Sequence, residues 1–402
     1  MVIKQADELR ILTSEILLKT GSSSSNARQV AEHLVLANLK GIDTHGIWHI
    51  PGYVSDIQTK KLLPAGNPSI LKETAATALV SGNWTFGQVA AKFAIELAIK
   101  KAKKNQLALV GLVQAHHLGR VGHFSELAAK EKMISMTWLG GFSEIDPKTV
   151  PFGGRKRLLH TNPIAMGVPS GNEPPMIIDF ATSAISGVKV DNAYNRNQSL
   201  PEGCIVDNEG KPSTNPADFF NGGGHIPFGQ HKGWAIMLWT EFLSRIFLGS
   251  DSFVNDTLSS DVLRHHAATF LVFRSDLFQS VDEFNERADE MQQRVRAVPP
   301  APGFKTVQVP GDPERKTYAD RSKNGIPIED DIWMKVTETA KKLGGPEIQF
   351  EEGQDELLAD AAKLVIQLEQ ASVSLLQRRF RIGYSRAGRL IDDLENLGII
   401  SG

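Results

Sequence analysis

The chain has 402 residues, of which 41% are hydrophobic and 22% are charged, with a formal net charge of −2. This composition is that of a globular protein with two or three hydrophobic cores, and the near-neutral charge excludes attraction of the whole molecule to nucleic acid or an anionic membrane. Cys204 is the only cysteine, which excludes an intrachain disulfide framework and a thiolate-rich zinc site and fits a reducing cytoplasm.

The N-terminal region is predicted to be helical and to carry no targeting segment. Lys4, Asp7 and Glu8 stand where the apolar core of a signal peptide would begin. No part of the chain approaches the roughly 18 apolar residues of a membrane span, so we expect no membrane partner. Apolar residues at helical spacing predict helices over residues 7–19 and 26–40.

His45 follows the second predicted helix in the sequence Asp-Thr-His-Gly. An imidazole titrates near neutral pH, and Gly41 and Gly46 allow the tight backbone that presents a side chain to a cleft. His45 is therefore a candidate proton donor or acceptor. A histidine beside a helix end can equally cap the helix or pack against it, and the four residues alone leave both interpretations open.

Short β-rich runs alternate with helices through the middle of the chain. Strands are predicted at residues 78–80, 107–113, 134–139, 164–168, 176–179 and 269–273, and helices at 87–104, 124–132 and 232–248. This alternation predicts an α/β core with a mainly parallel or mixed sheet. No G-x-G-x-x-G opens a helix after the first strands, so a dinucleotide would be bound without the Rossmann fingerprint.

Four polar segments next to predicted strands or helix starts are candidates for ligand contact. They are residues 115–122, 161–163, 179–183 and 231–233. Arg120 among glycine-freed backbone N–H groups suits a phosphate, and a helix beginning at His231 favours an anion. Each segment also has a structural interpretation, since Asp179 could cap a helix, His231 could simply begin one, and Arg120 could form a surface ion pair.

A metal site is the competing interpretation for the histidines. The chain has eleven, and His45 and His49 stand four residues apart, a spacing that can place two ligands on one helix face. Gly46 and Pro51 favour a turn there instead of a helix, and neither H-E-x-x-H nor a carboxylate cluster accompanies them. We therefore predict no metal.

The composition changes after Gly344. Six acidic residues and no basic ones lie between Glu347 and Asp360, and five arginines and no acidic residue lie between Arg378 and Arg389. This change predicts a domain at residues 1–344, an acidic linker at 345–353, and a small second domain at 354–402.

Several motifs occur together and in a fixed order in the first domain. They are Gly41-Ile-Asp-Thr-His-Gly-Ile, His116-His-Leu-Gly-Arg-Val-Gly, Thr161-Asn-Pro, Asp179-Phe-Ala-Thr-Ser-Ala-Ile, Pro201-Glu-Gly-Cys, Pro212-Ser-Thr-Asn-Pro, Phe228-Gly-Gln-His-Lys-Gly-Trp and Pro310-Gly-Asp-Pro-Glu. With them, residues 1–344 resemble the malate/L-lactate dehydrogenase family of NAD(P)-dependent oxidoreductases, whose fold is not the Rossmann fold. The hydroxycarboxylate dehydrogenase B subgroup is the most similar. This resemblance implies NAD, with NADP as the alternative, a 2-oxo/2-hydroxy acid pair, and a homodimer.

The resemblance also assigns roles to individual residues. His45 matches the family's proton donor, Thr44 stands at the usual serine beside it, and Thr161 falls at a substrate-pocket threonine. Many members carry an arginine for the substrate carboxylate where this chain has His49, although the similar subgroup lacks that arginine too. The implied cofactor contacts are Gly119, Arg120, Val121, Ile177, Ile178, Asp179, Phe180, Ala181, His231, Lys232, Gly311, Asp312, Pro313 and Glu314.

The end of the chain resembles a different family. Helices are predicted at residues 357–370, 373–380 and 385–397 around a turn at 381–384, with Ser385 and Gly398 as caps. The run at 371–392 resembles the winged-helix gamma domain of FtsK/SpoIIIE-type DNA translocases, although the chain stops where the wing would follow.

This second resemblance implies contact with duplex DNA through residues 354–402. Arg386 and Arg389 are expected at bases or phosphates, and Arg378 and Arg379 at the DNA backbone. One alternative is an arginine-rich surface on a small helical module that does not bind DNA. Another alternative for the whole chain is a DNA-binding protein or translocase-derived fragment whose dehydrogenase half only senses a cofactor or ligand.

Overall fold

The structure is a computed structural model that describes residues 1–142, 146–255, 257–258, 263–344, 357–368, 371–380, 382–396 and 399–400. Its strands are β1 Val2–Lys4, β2 Ser69–Glu73, β3 Thr77–Ser81, β4 Leu107–Val113, β5 Met133–Gly140, β6 Ile164–Val168, β7 Met176–Phe180, β8 Ile205–Val206, β9 Pro212–Ser213, β10 Gly224–His225, β11 Ala267–Arg274 and β12 Ile326–Ile328. Its α-helices are α1 Ala6–Lys19, α2 Ser24–Leu39, α3 Ile50–Gln58, α4 Gly87–Asn105, α5 Gly122–Lys130, α6 Gly187–Asn195, α7 Pro216–Phe220, α8 His231–Glu241, α9 Val281–Arg296, α10 Asp312–Asn324, α11 Asp330–Lys342, α12 Leu358–Leu368, α13 Val373–Phe380 and α14 Tyr384–Asn396.

A seven-stranded mixed sheet forms the centre of the molecule, in the order β2-β3-β4-β11-β5-β6-β7. Only β3 and β4 pair in parallel, and the other neighbours are antiparallel. All six predicted strands lie in this sheet, so the predicted mixed α/β core is confirmed. The sequence did not predict β2 because its five residues are all exposed and carry no apolar alternation.

The main core lies between the sheet and the helices that cover it. Three alanines one turn apart on α4, at positions 90, 94 and 98, are fully buried with Val110 and Phe270 of the sheet. Small side chains at this spacing let the helix lie close to the strands. On the other face Leu248, after α8, packs where a Cβ on Gly111 would overlap it, so the central strands are buried on both faces.

The N-terminal helices form a second core. Leu9, Leu34, Ile47 and Ile50 are fully buried in it, together with Val336 of α11. Antiparallel pairing of β1 with β12 ties the N-terminus to the segment before α11. The predicted helical N-terminal region is therefore confirmed, and it supports the turn that carries His45.

Strand direction determines where the functional loops lie. Strands β3, β4, β5 and β7 end at the same edge of the sheet at which β6 and β11 begin. The segments 114–121, 160–163 and 181–183 therefore come together at this edge, and His266 lies there because it precedes β11. Polar segments distant in sequence are thus collected into one region.

The C-terminal module consists of α12, α13 and α14, and its described interior is apolar. Ala387, Leu390 and Leu394 of α14 are fully buried, as the helical periodicity predicts. The prediction that Ser385 is the N-cap of α14 is wrong, because the helix already begins at Tyr384. The carbonyl of Gly383 accepts the first helical hydrogen bond, from the N–H of Ala387. Arg381, Gly398 and the predicted linker 345–353 lie outside the described residues.

None of the helices in the described part of the chain combines the length and the apolar composition that crossing a bilayer requires.

Candidate active site

His45 lies on a short turn between α2 and α3 that several side chains hold in place. The chain forms two successive 3₁₀ turns, Asp43–His45 and Ile47–His49, before α3 begins with Pro51 in its first turn. The predicted turn at residues 45–49 is therefore confirmed, but a helix follows it directly. His45 and His49 belong to different turns and do not share one helix face.

Asn38 and Arg321 fix the conformation of this turn. The buried Asn38 amide donates to Asp43 Oδ1 at 2.7 Å and accepts from the N–H of Ile47 at 3.0 Å. Arg321 binds both carboxylate oxygens of Asp43, at 2.7 and 3.0 Å. A Cβ on Gly46 would overlap the Asn38 side chain, so glycine is required there for close approach and not for an unusual φ.

His45 faces a group of aromatic and imidazole rings at the edge of the sheet. Its ring stacks on His117 with centroids 5.7 Å apart, and the ring of His49 lies 6.3 Å away. Thr44 Oγ1 is 3.0 Å from His45 Nδ1. Burial, and then the positive charge of Arg120, lower the pKa of His45 to about 4, although the residue as a whole is partly exposed. The imidazole is therefore neutral at pH 7 in the ligand-free protein.

Tyr53 connects this group to the protein interior. Its hydroxyl lies 2.7 Å from His117 Nδ1 and accepts from the Gln88 amide, also at 2.7 Å. Burial raises the pKa of Tyr53 well above its ordinary value, so the phenol remains protonated. Because the amide donates to Tyr53, the phenol proton is available to His117 Nδ1, which leaves His117 Nε2 free to carry a proton of its own.

His49, at the position of the expected arginine, cannot act as a fixed cation. Its Nε2 is 3.1 Å from the carbonyl oxygen of Thr44, so this nitrogen donates to the backbone. Burial and the neighbouring His45 lower the pKa of His49 to about 3. The ring packs 4.2 Å from His117 and stacks on Tyr53 at 5.6 Å, so His49 contributes a neutral aromatic wall.

Thr161 lies at the same edge, immediately before β6. Its carbonyl accepts from the backbone N–H and the hydroxyl of Thr182, at 2.9 and 3.1 Å, which joins it to the end of β7. The next residue, Asn162, has a φ of 37° and donates to Glu241 of α8 at 3.0 Å. The Thr161 side chain is half-buried at this junction.

Arg120 forms an ion pair, as the structural alternative for it supposed, but the pair is buried and does not lie at the surface. Its guanidinium is 2.7 Å from Glu126 and 3.7 Å from Asp179, and its side chain is 3% exposed. The backbone N–H of Arg120 donates to His33 at 2.9 Å, so this group is not free for a phosphate as the glycines suggested. Its Nη1 is buried without a hydrogen-bond partner, which leaves one donor for a ligand.

Asp179 joins β7 to the start of α5. It accepts from the N–H of Gly122 at 2.7 Å, so it caps that helix from a distant strand. A Cβ on Gly122 would lie 2.7 Å from the carboxylate, so only glycine fits there. Burial raises the pKa of Asp179 to about 6, against the opposing effects of Arg120 and the Gly122 N–H.

The predicted cofactor segments at residues 119–121, 177–181 and 311–314 lie next to one another. The N–H of Ile177 donates to the carbonyl of Pro310 at 3.2 Å, directly before Gly311 with its φ of 98°. Asp312 is held by Arg296 and by the N–H of Val309, and its pKa lies well below the ordinary value despite partial burial. The remaining members, which line the same junction, are Gly119, Val121, Ile178, Phe180, Ala181, Pro313 and Glu314.

His231 and Lys232 are exposed at the start of α8. Three residues earlier, Phe228 packs edge-on against Phe180 at 5.4 Å, and its N–H donates to the carbonyl of Thr182. The helix start therefore adjoins the end of β7, although neither charged side chain has a contact with the Arg120 group among the described residues. His231 lies 5.9 Å from Phe152, ring to ring.

Comparison with known proteins identifies the larger part of the chain. Residues 4–337 match the family model described as malate/L-lactate dehydrogenase. The chain belongs to the malate/L-lactate dehydrogenase family. Membership makes it an oxidoreductase that acts on a CH–OH group.

Individual family members are similar over nearly their whole length. Malate/(S)-sulfolactate dehydrogenase of Methanothermus fervidus is 34% identical over 345 residues, which are 85% of this chain and 98% of the relative. Hydroxycarboxylate dehydrogenase B of Escherichia coli is 32% identical, covering 85% of this chain and 94% of the relative. The solved sulfolactate dehydrogenase of Methanocaldococcus jannaschii has a TM-score of 0.77 at 33% identity and covers 85% of this chain and 98% of that structure. The non-Rossmann dehydrogenase fold is thereby confirmed.

The end of the chain matches a second family model. Residues 352–402 match the FtsK gamma domain. Arg378, Arg379 and Arg389 are exposed on α13 and α14, whereas Arg386 is half-buried. The four arginines predicted to contact DNA are therefore not equally available, and Arg386 offers the smallest accessible surface of the four.

Several residues of the dehydrogenase site were missed in the sequence. Tyr53 stands four residues after His49. On a helix this spacing places both side chains on one face, but no helix was predicted at residue 50. Arg321 and Gln88 act through contacts between distant segments, which no local pattern indicates. Asn38 bonds to Asp43 and Ile47 within the same turn. His266 packs edge-on against His160 at 4.9 Å and adds a buried neutral imidazole close to His116 and His117.

Metal ligation was also considered for this imidazole-rich region. Across the described residues, no group of three or more His, Cys, Asp or Glu side chains has the arrangement needed to hold a metal ion. His116 is engaged with Asp56 at 2.8 Å, and His117 with Tyr53. One ring nitrogen of each of these two histidines is thus engaged in a hydrogen bond.

Proposed function

We propose that residues 1–344 transfer a hydride between NAD(H) and C2 of a 2-oxo/2-hydroxy carboxylic acid, with NADP as the alternative cofactor. The observation that carries the proposal is the position of His45. It lies on a rigid turn, at the sheet edge where the predicted cofactor segments and Thr161 meet. Proton transfer at the substrate oxygen must occur beside the carbon that exchanges hydride, and His45 is a partly exposed titratable group at this edge.

His45 is assigned the proton transfer. When His45 Nδ1–H donates to the hydroxyl oxygen of Thr44, at 3.0 Å, Nε2 of the neutral ring holds the lone pair and is the atom that exchanges a proton with the substrate oxygen. Since the pKa of His45 is about 4 in the ligand-free protein, the neutral form accepts the proton from a hydroxy acid. In the opposite direction the residue takes up a proton first, and a bound carboxylate favours that uptake by raising the pKa.

The cofactor is assigned to the junction of residues 119–121, 177–181 and 311–314. NAD, when bound, supplies or accepts the hydride. Arg120 Nη1 and Glu314 Oε2 are buried there without hydrogen-bond partners, so one donor and one acceptor remain for a ligand. His231 and Lys232, at the exposed start of α8, are the polar groups assigned to the outer end of the cofactor.

The substrate carboxylate is assigned to neutral donors. The N–H of neutral His49 is bonded to Thr44, so we assign the carboxylate to His117 Nε2–H and the hydroxyl of Thr161 in place of a fixed guanidinium. Such donors hold an acid by hydrogen bonds without a full counter-charge. We therefore assign the chain a malate- or lactate-like acid, or a larger one, bound more weakly than by an arginine-containing relative.

A panel of 2-oxo acids tests the assignment of an active enzyme. Purified full-length protein is mixed with NADH and each acid, and NADH oxidation is followed by absorbance, with NADPH in parallel. Turnover of at least one acid is expected. Tight NADH binding without turnover of any acid would instead favour the alternative of a cofactor sensor.

We propose duplex DNA as the partner of the C-terminal module. The exposed Arg378, Arg379 and Arg389 support this role, since three cations on two adjacent helices suit a phosphate backbone. The expected binding by the full-length protein weakens as salt rises. Replacing Arg386 and Arg389 by alanine should reduce affinity, and unchanged affinity would contradict their assignment to DNA.

We propose a cytoplasmic homodimer. The only cysteine, Cys204, is a buried free thiol, which suits a reducing compartment. Apolar side chains on α8 and the π-helical turn after it, Phe242–Ile246, are unusually exposed. They are Ile236 37%, Leu238 37%, Trp239 59%, Phe242 54%, Ile246 47% and Phe247 59%. An apolar stripe of this kind is typical of a surface covered by another subunit.

A further inference from the structure

Ile11 is buried although it lies on the outer side of α1. The core-facing residues of this helix are Leu9, Leu12, Thr13, Ile16 and Leu17. Ile11 is two residues from Leu9 and from Thr13, which turns it about 200° away from each around the helix axis. An apolar residue at that position would be exposed on an outermost helix, yet Ile11 is only 6% exposed.

The C-terminal module covers Ile11. The side chain belongs to the same apolar cluster as Leu358, Ala361, Ala362 and Val365 of α12. Helix α12 packs on α1 on one side and on α14 on the other. None of the other buried residues of α1 belongs to this cluster, because their side chains point into the N-terminal core.

Two further observations on α1 agree with a covered outer face. Glu15, one turn after Ile11, is half-buried, and its Oε1 is shielded from solvent without a hydrogen-bond partner. Lys19, one more turn along, donates to the carbonyl of Gly344 at 3.0 Å, at the point where the chain leaves α11 for the module. The same side of α1 therefore contacts both the end of the dehydrogenase domain and the beginning of the module.

We propose that the outer face of α1 is a docking site for the C-terminal module of the same chain, and that Ile11 completes the module's apolar core. A core built from three short helices is small, and a single added side chain is a substantial part of it. Docking gives the module a fixed orientation on the dehydrogenase instead of a free tether. The inference concerns packing and does not rest on the proposed enzymatic activity.

Docking leaves the arginine surface accessible. Arg378 and Arg379 on α13 and Arg389 on α14 stay exposed while α12 faces α1. DNA contact and docking therefore use different helices of the module. A docked module can present its arginines without first separating from the dehydrogenase.

Hydrogen exchange on the full-length protein tests the docking. Replacing Ile11 by glutamate puts a charge into the shared cluster, so exchange in residues 357–396 should become at least about tenfold faster, the scale set by burying one isoleucine. The matched control is Leu18→Glu on the same helix, where the side chain is 44% exposed and outside the cluster. Exchange in the module of the control should equal that of the wild type.

The residues at which hydrogen exchange becomes faster decide the outcome. Faster exchange confined to α12, α13 and α14 in Ile11→Glu supports docking, as does a smaller change at the same residues in Ile11→Ala. Ile11→Ala keeps the test decisive if the glutamate variant fails to fold. Wild-type exchange rates throughout the module in both Ile11 variants would overturn the proposal, as would an equal effect of Leu18→Glu.

Discussion

The environment of His45 determines which direction of the reaction it favours at neutral pH. The residue is surrounded by neutral rings, His49 and His117, and the nearest charge that affects its pKa is the cation Arg120. Both burial and that cation disfavour the imidazolium. If His45 transfers the proton as we propose, the ligand-free protein is ready to accept a proton from a hydroxy acid, and must gain one to reduce an oxo acid.

This charge state predicts opposite pH profiles for the two directions. Because the pKa of His45 lies at about 4, the neutral form predominates above it, and kcat/KM for oxidation should be level at higher pH. For reduction the protonated form is active, so kcat/KM should fall about tenfold for each unit as pH rises above that pKa. Initial rates in both directions between pH 5 and 8 measure this. A reduction rate independent of pH would contradict the assignment of His45 as the proton source.

At the scale of elements, the turn between α2 and α3 determines where His45 lies in the site. Asn38 at the end of α2 bonds to both Asp43 and Ile47, and Gly46 has the side chain of Asn38 where its Cβ would be. The turn that carries the proposed catalytic residue, His45, is thus fixed by the end of α2. Changes in this turn should affect turnover before they affect the remainder of the fold.

Gly46→Ala should reduce both turnover and stability. Its methyl group would overlap Asn38, so the turn must shift, with a cost of about 1–3 kcal/mol in the free energy of unfolding. The matched control is Gly52→Ala inside α3, where a Cβ has no neighbour within 4 Å and alanine should stabilise the helix by about 0.5–1 kcal/mol. Denaturant unfolding and kcat compare the two, and a neutral Gly46→Ala would show that the close approach to Asn38 is unimportant.

Elements with strong periodicity could be predicted from the sequence, and contacts between segments could not. The apolar run 107–113 predicted β4 correctly, whereas β2 is exposed along its whole length and gave no pattern. His45 was found because its motif is local. Arg321 was not, because its role depends on a hydrogen bond to Asp43 across 278 positions. Arg120 was singled out as a candidate ligand contact, but its ion pair with Glu126 depends on how α5 is packed.

At the scale of the whole molecule, the mixed sheet brings the loops of the site to one edge. Two helix surfaces, the outer face of α1 and the apolar side of α8, are not covered by the rest of the dehydrogenase domain. Antiparallel and parallel strands together place the ends of β4, β5 and β7 beside the starts of β6 and β11. The outer face of α1 is covered by the C-terminal module. The apolar side of α8 remains exposed in the single chain, which is why we assign it to a second copy.

Replacing Trp239 by glutamate should convert the proposed dimer into monomers. The indole is 59% exposed in the single chain, so the charge should harm association and not folding. Met291→Glu on α9, at a side chain that is 61% exposed, is the matched control and should remain dimeric. Sedimentation equilibrium gives the molar mass of each protein. Monomeric wild-type protein, or a dimer unaffected by Trp239→Glu, would contradict the assignment of this surface.

The most direct test of the account is the turnover of His45→Ala with an oxo acid that the wild-type protein reduces. Removing the proton-transfer group should lower kcat by about 10²–10⁴-fold, the usual contribution of general acid–base catalysis. Affinity for NADH, measured by fluorescence titration, should be unchanged, because the cofactor is assigned to residues 119–121, 177–181 and 311–314. A variant that binds NADH normally and keeps the wild-type kcat would contradict the central claim that His45 transfers the proton.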